Sequence, residues 1–262
     1  MKAELIYFSA TGTTGKIVKS IADGLQCDAT FSDITLEEDR LNRKPGDFDL
    51  TVLAFPVYGE RIPNFLYDCL EKLDGGGRPL AGVAVYGNMG FGVSLQQYAA
   101  LAKSNHFQLI AAAALVGQHT YASAHAPVGF GRPDETDLLM AKEFGRKIRE
   151  KLNGGAQGAV NVPGCAIPKF LAKLPDGGVR RIIRQPAVKP DACNDCGACV
   201  KRCPVGAIDK NTLAIDETKC LRCYACLQAC PKSARAAGFR SPVFETIFRK
   251  LGSVPKENIF IV

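Results

Sequence analysis

Tryptophan is absent from the 262 residues, and histidine and methionine occur only three times each. A flat aromatic ligand would have to be gripped by tyrosine or phenylalanine, and imidazole chemistry has only His106, His119 and His125 to draw on. No apolar run approaches the ~20 residues of a membrane span, and the longest, 109–117, suits a buried strand. No G-x-G-x-x-G follows a strand, which removes the usual dinucleotide signal. Met1-Lys2-Ala3 leads straight into a strand-like run and not into a secretory signal. The expectation is a cytoplasmic chain whose cysteines stay out of disulfides.

What the chain has in excess is cysteine: eleven residues, eight of them between Cys193 and Cys230. Those eight form two runs, CNDCGACVKRCP and CLRCYACLQACP, related by an offset of 27 residues. Each reads C-x2-C-x2-C-x3-C-P, the pattern that holds a [4Fe-4S] cluster with its fourth cysteine given to the other run's cluster. A cubane needs four thiolates around one small volume, and a tight loop supplies three of them. The crossed assignment is Cys193, Cys196, Cys199 and Cys230 for one cluster, and Cys203, Cys220, Cys223 and Cys226 for the other. Gly197 suits a backbone that must approach a cluster sulfide, and Pro204 and Pro231 discourage helix beyond the last ligand. Paired CxxC elements also occur in structural zinc sites, which do not need eight thiols in tandem. The region 186–232 resembles bacterial-type ferredoxins with two [4Fe-4S] clusters.

The length suits two domains. Charge divides unevenly: residues 1–159 are net −2 and residues 160–262 net +9. A basic half raises nucleic-acid binding as a rival, but two oxidised clusters with their thiolates would cancel roughly four of those charges. The reading is therefore no nucleic acid and no membrane span. Redox partner proteins are expected instead, docking through an acidic face.

At the other end, residues 2–8 read as a buried strand, followed by Ser9, Ala10, Thr11, Gly12, Thr13 and Thr14 and then a helix over 15–25. A helix N-terminus offers free N–H groups to a phosphate. The stretch Ala10-x4-Gly15-Lys16 imitates a nucleoside-triphosphate loop, but Ile17 stands where that loop needs a hydroxyl for magnesium. Ser9, Thr11, Gly12 and Thr14 match T/S-x-T-G-x-T, the phosphate loop of flavodoxins. After the strands at 49–55 and 80–86 come Pro56, Val57, Tyr58 and Gly59, and then Gly87, Asn88, Met89 and Phe91. Both are strand C-terminal loops, where open α/β sheets bind ligands. Tyr58 and Phe91 are the candidate rings against an isoalloxazine, and Gly59 the residue that lowers the cost of a peptide turning over beside it.

Strands near 2–8, 27–33, 49–55, 79–86 and 107–116, with helices between, predict an α/β doubly wound sheet of five parallel strands, followed by a small α+β two-cluster domain. A helix is predicted over 133–152. The loop 118–125 is longer than a connection needs, and His119 and Tyr121 in it could cover a flavin or face the clusters. His106 looks structural. Residues 154–190 read as an ordered Pro/Gly-rich connector with short helices around 168–174 and 179–184. Cys27, Cys69 and Cys165 read as reduced lone thiols. After Pro231, the stripe 243–251 suggests a packed helix, and the last five residues could add a strand.

Together these features resemble the flavodoxin–ferredoxin fusion family. That resemblance implies FMN, two [4Fe-4S] clusters and electron transfer in anaerobic metabolism. It divides the chain into an FMN-binding domain (1–153), a connector (154–185), a ferredoxin domain (186–232) and an extension (233–262). Met89 departs from the arginine expected after Gly87-Asn88. The favoured reading is an electron carrier with no catalytic residue of its own. An FMN-dependent oxidoreductase using His119 or Tyr121, and a redox sensor, stand as alternatives.

Overall fold

Parallel strands need crossover connections, and the helices in those connections bury both faces of the sheet. The computed structural model describes residues 1–44, 46–155, 158–164 and 178–262. Its first part runs β1 (Lys2–Tyr7), α1 (Thr13–Leu25), β2 (Asp28–Asp33), α2 (Glu37–Asn42), β3 (Leu50–Pro56), α3 (Tyr67–Leu70), β4 (Pro79–Tyr86), α4 (Ser94–Ser104), β5 (Gln108–Val116) and α5 (Glu135–Asn153). The first five strands are parallel in the order β2-β1-β3-β4-β5, which is the flavodoxin-like order.

The strand periodicity of two sorts the core into two layers. Leu53 and Phe55 face Tyr98 and Leu101 of α4, whereas Val52 and Ala54 face Ile17 and Ile21 of α1 and Phe144 of α5. Tyr98 is fully buried yet satisfied, its hydroxyl donating to Val83 O at 2.7 Å and accepting from Phe55 N at 3.2 Å. Helices α1 and α5 touch through glycines: a Cβ on Gly24 would lie 1.8 Å from Lys142 O, and one on Gly145 2.1 Å from Ile21 O.

Helix α5 starts two residues later than the sequence suggests. Asp134, not Pro133, ends the preceding loop: its carboxylate accepts from Asp137 N, and Asp137 accepts from Asp134 N, both at 2.9 Å. This reciprocal cap fixes the start more strongly than the fixed φ of proline does.

The chain continues through α6 (Val179–Ile182), β6 (Ala187–Val188), α7 (Ala198–Lys201), α8 (Ala225–Gln228), β7 (Arg235–Ala236), α9 (Pro242–Leu251) and β8 (Ile259–Ile261). β6 and β7 form a two-stranded antiparallel sheet. Cys165 and the helical piece expected over 168–174 lie outside the described residues.

Among the described residues the sheet has six strands, the five parallel ones and one from the chain's last residues, where the sequence reading allowed a strand. β8 returns to pair antiparallel with β5, Ala113 opposite Phe260. Asn258 clamps it there, accepting from Val116 N at 2.8 Å and donating to Asp137 Oδ1 at 2.7 Å. The extension thereby covers an edge whose unpaired N–H and C=O groups would otherwise be open to any passing strand. Among the described residues, no helix is long and apolar enough to cross a membrane.

Candidate functional site

The strand ends of the large sheet open into a cleft of about 1380 Å³, its open mouth included. Its floor at one end is the loop after β1. Ser9 is buried there and tied down, its N–H donating to Thr35 Oγ1 at 2.8 Å and its Oγ accepting from Gly15 N at 3.0 Å. Gly12 takes φ 84°, where other residues are strained, and starts α1 without a side-chain cap. Gly12 has no side chain to cap the first turn of α1, and of that turn's N–H groups Gly15 N is taken by Ser9 Oγ.

Of the residues predicted from sequence, Ser9, Ala10, Thr11, Thr13, Thr14, Pro56, Val57, Tyr58, Gly59 and Gly87 line this cleft. Gly12 is not among the lining residues and turns the chain between them into α1. Asn88, Met89 and Phe91 lie elsewhere, which corrects their expected placement. Asn88 sits at φ 57° and turns its amide away to the extension, donating to Gly252 O and Val254 O. Met89 packs on the cluster of Ala126, Val128 and Phe248. The Phe91 ring meets Tyr86 edge-on at 5.5 Å, leaving Tyr58 as the candidate stacking ring.

The opposite wall comes from two segments far away in sequence. One is 117–121, which brings His119 and Tyr121 into the cleft; the other is Cys220, Leu221, Arg222 and Cys223 with Gly178–Arg180. His119 stands edge-on to Phe248 at 4.7 Å, and burial lowers its pKa to about 4. Tyr121 donates its hydroxyl to Arg222 O at 3.1 Å and meets the Tyr224 ring at 5.0 Å. His106 instead pairs with Asp74 on the surface at 3.2 Å. Sequence reasoning singled out the 118–125 loop by its length alone, and nothing local in 220–223 marked it as cleft wall.

The eight tandem cysteines divide between two further cavities. Cys193, Cys196, Cys199 and Cys230 line one. Cys203, Cys220, Cys223 and Cys226 line the other. Each fourth thiol thus crosses to the other run's cavity, as the spacing predicts. The two halves share one backbone path. Gly197 and Tyr224, 27 residues apart, both adopt left-handed φ (69° and 61°), as do Asp195 and Arg222 (52° and 58°). Ala207 N donates to Cys203 Sγ and Ala234 N to Cys230 Sγ, both at 3.2 Å.

The thiol chemistry fits a metal cluster. Burial pushes the Cys223 thiol up to about 12 and Cys226 up to about 11, so neither ionises at neutral pH without a cation beside it. Burial also acts on Cys230, but N–H donation from Ala234 and its neighbours outweighs it and lowers the pKa. None of the described cysteines is in a disulfide; Cys69 donates to Leu66 O at 3.0 Å, and burial raises Cys27.

Residues 185–231 match the family described as the 4Fe-4S dicluster domain. Over 53 residues the chain is 56% identical to the ferredoxin-type protein NapF of Haemophilus influenzae, covering 20% of this chain and 28% of that protein. The chain therefore spans well under a third of that relative. Similar solved structures include a flavodoxin from the domain Archaea, with 16% identity, 58% of this chain and 99% of that one covered, and a TM-score of 0.44. Oxidised flavodoxin 1 from Bacillus cereus gives 15% identity, 57% and 98% coverage, and a TM-score of 0.44. The fold assignment stands on the observed strand order. By its strand order the first part of the chain is a flavodoxin-like sheet, and it is followed by a region, 185–231, that matches the 4Fe-4S dicluster domain.

Proposed function

We propose that the protein is an electron carrier in which two [4Fe-4S] clusters and one FMN share a polypeptide. Clusters supply one-electron steps, and a flavin supplies one- or two-electron steps. The observation that carries the reading is the shared wall: Cys220, Leu221, Arg222 and Cys223 line both the cleft and the second thiol cavity. Among the described residues, none that lines the first cavity also lines the cleft.

In this reading the eight tandem cysteines are thiolate ligands, and the 9–14 loop with the N-terminus of α1 receives the phosphate. Tyr58 packs on the ring, and Gly59, at φ 57°, leaves the adjoining peptide free to turn. The first cavity, whose Cys196 is exposed, faces the redox partner. The basic half of the chain suits an acidic partner face, so the transfer rate falls with added salt. Residues 1–153 form the FMN domain, 154–185 the connector, 186–232 the cluster domain and 233–262 the extension, in a cytoplasmic protein of anaerobic metabolism.

The geometry favours the carrier over a reductase that uses His119 or Tyr121 as an acid. Burial keeps His119 neutral at physiological pH, and the Tyr121 hydroxyl is committed to a backbone carbonyl. Anaerobic purification with iron, sulfide and flavin quantitation tests the proposal, followed by a stepwise redox titration read by absorbance and EPR. About eight iron atoms per chain are expected with one FMN. Zinc in place of iron, or a cleft that refuses FMN, sinks it.

A further inference from the structure

The two cysteine loops follow the same backbone path, yet the residue between the first two ligands differs in charge and burial. In the first run it is Asp195, exposed; in the second it is Arg222, with 0% of its surface exposed. Both sit at left-handed φ, a conformation that strains a non-glycine residue. Arg222 lies in the wall between the cleft and the second thiol cavity.

Its hydrogen bonds are incomplete. Nη2 pairs with Glu217 Oε1 at 2.7 Å, while Nε and Nη1 have no partner among the described residues. Burying guanidinium N–H groups unpaired is costly, and the arrangement becomes favourable when a ligand brings acceptor atoms. The backbone of Arg222 stands at the tyrosine side of the cleft. Tyr121 is anchored on the Arg222 carbonyl, and Tyr58 lies within electrostatic reach of Cys223 and Tyr121.

We propose that Arg222 is the cation with which the cluster domain completes the flavin site, its unpartnered Nε and Nη1 donating to acceptor atoms on the ring edge and holding the negative charge the ring gains on reduction. This rests on the FMN reading of the cleft. A flavin in this cleft is then bound by both domains, and its potential is set partly by a residue from the cluster loop.

The test uses the full chain with its clusters, comparing wild type with Arg222→Met, Arg222→Lys and Glu217→Gln. Flavin affinity is measured by fluorescence with both FMN and riboflavin, flavin potential by spectroelectrochemistry, and the second cluster by EPR. Arg222→Met is expected to weaken reduced flavin about tenfold relative to oxidised flavin, a fall of ~30 mV for a two-electron couple, equally for FMN and riboflavin. Arg222→Lys should retain most of the wild-type potential. Glu217 is an exposed residue, and Glu217→Gln frees the guanidinium from its partner, so the flavin potential should rise. If Arg222→Met loses its iron, the sign of the Glu217→Gln shift decides. An unchanged flavin potential with only the second cluster's EPR signal altered overturns the proposal, as does a loss seen with FMN but not riboflavin. A wild-type chain that binds neither flavin removes the cleft reading itself.

Discussion

Asn88→Ala is the substitution whose consequence the structure fixes most fully. The side chain is 4% exposed and makes three hydrogen bonds to the extension: Nδ2 to Gly252 O at 2.9 Å and Val254 O at 3.1 Å, and Oδ1 from Lys256 N at 2.8 Å. At a net of ~1 kcal/mol each, losing all three costs about 3 kcal/mol. Alanine at φ 57° adds about 1 kcal/mol, because it lacks the short polar side chain that makes this conformation tolerable to asparagine. The total of about 4 kcal/mol falls on the seating of residues 252–261. When it exceeds the local seating energy, β8 leaves the edge of β5 and Phe248 loosens from His119 at the cleft. Hydrogen exchange at Ile259–Ile261 and at Val116 N–H, with urea unfolding alongside, reads the effect. Asn88→Gly, which tolerates the backbone angle, should retain the hydrogen-bond loss alone. Unchanged protection in β8, or a stability change below ~1 kcal/mol, refutes the argument.

Replacing Cys230 with alanine should empty the cavity it shares with Cys193, Cys196 and Cys199, taking iron from about eight to about four per chain by elemental analysis; EPR loss confined to the second cluster would contradict the crossed assignment. His119 has its pKa lowered from 6.5 to about 4 by burial, so the folded state binds fewer protons than the unfolded one between those values. Its stabilising effect is present above 6.5 and is lost as pH falls, about 1.3 kcal/mol between pH 7.5 and 5.5; His119→Gln should remove that part of the pH slope in denaturation series. Gly145→Ala places a methyl against Ile21 O and should cost about 1–3 kcal/mol by forcing α1 and α5 apart, seen as a lower midpoint in urea with the iron content unchanged.

The cysteine cavities were legible because metal ligation of this kind is local. Three thiols three residues apart can only surround one centre, and the fourth, after the short helix, can only reach across. The parallel sheet was legible for a similar reason, since buried strands and amphipathic helices alternate along the chain. Even so, the Asp134–Asp137 cap moved the start of α5 past Pro133, because two hydrogen bonds outweigh one favourable dihedral.

Other features depended on residues far apart in sequence. Asn88 looked like a flavin contact because it follows a strand and a glycine, but its partners lie more than 160 positions later. Nothing in the sequence singles out Arg222 between its flanking ligands; its burial comes with the contact of the second cysteine loop beside Tyr121 at the cleft.

The amino-acid order alone determined that this chain gathers eight thiols into two sets and builds a doubly wound sheet, because ligand spacing and hydrophobic period act within a few residues. Which surfaces meet was decided only in three dimensions: that β8 closes the edge of β5, and that the second cysteine loop and not the first forms the cleft wall. The two loops are near copies in sequence and backbone. They differ in surroundings because tertiary packing sets one against the cleft and leaves Cys196 of the other exposed.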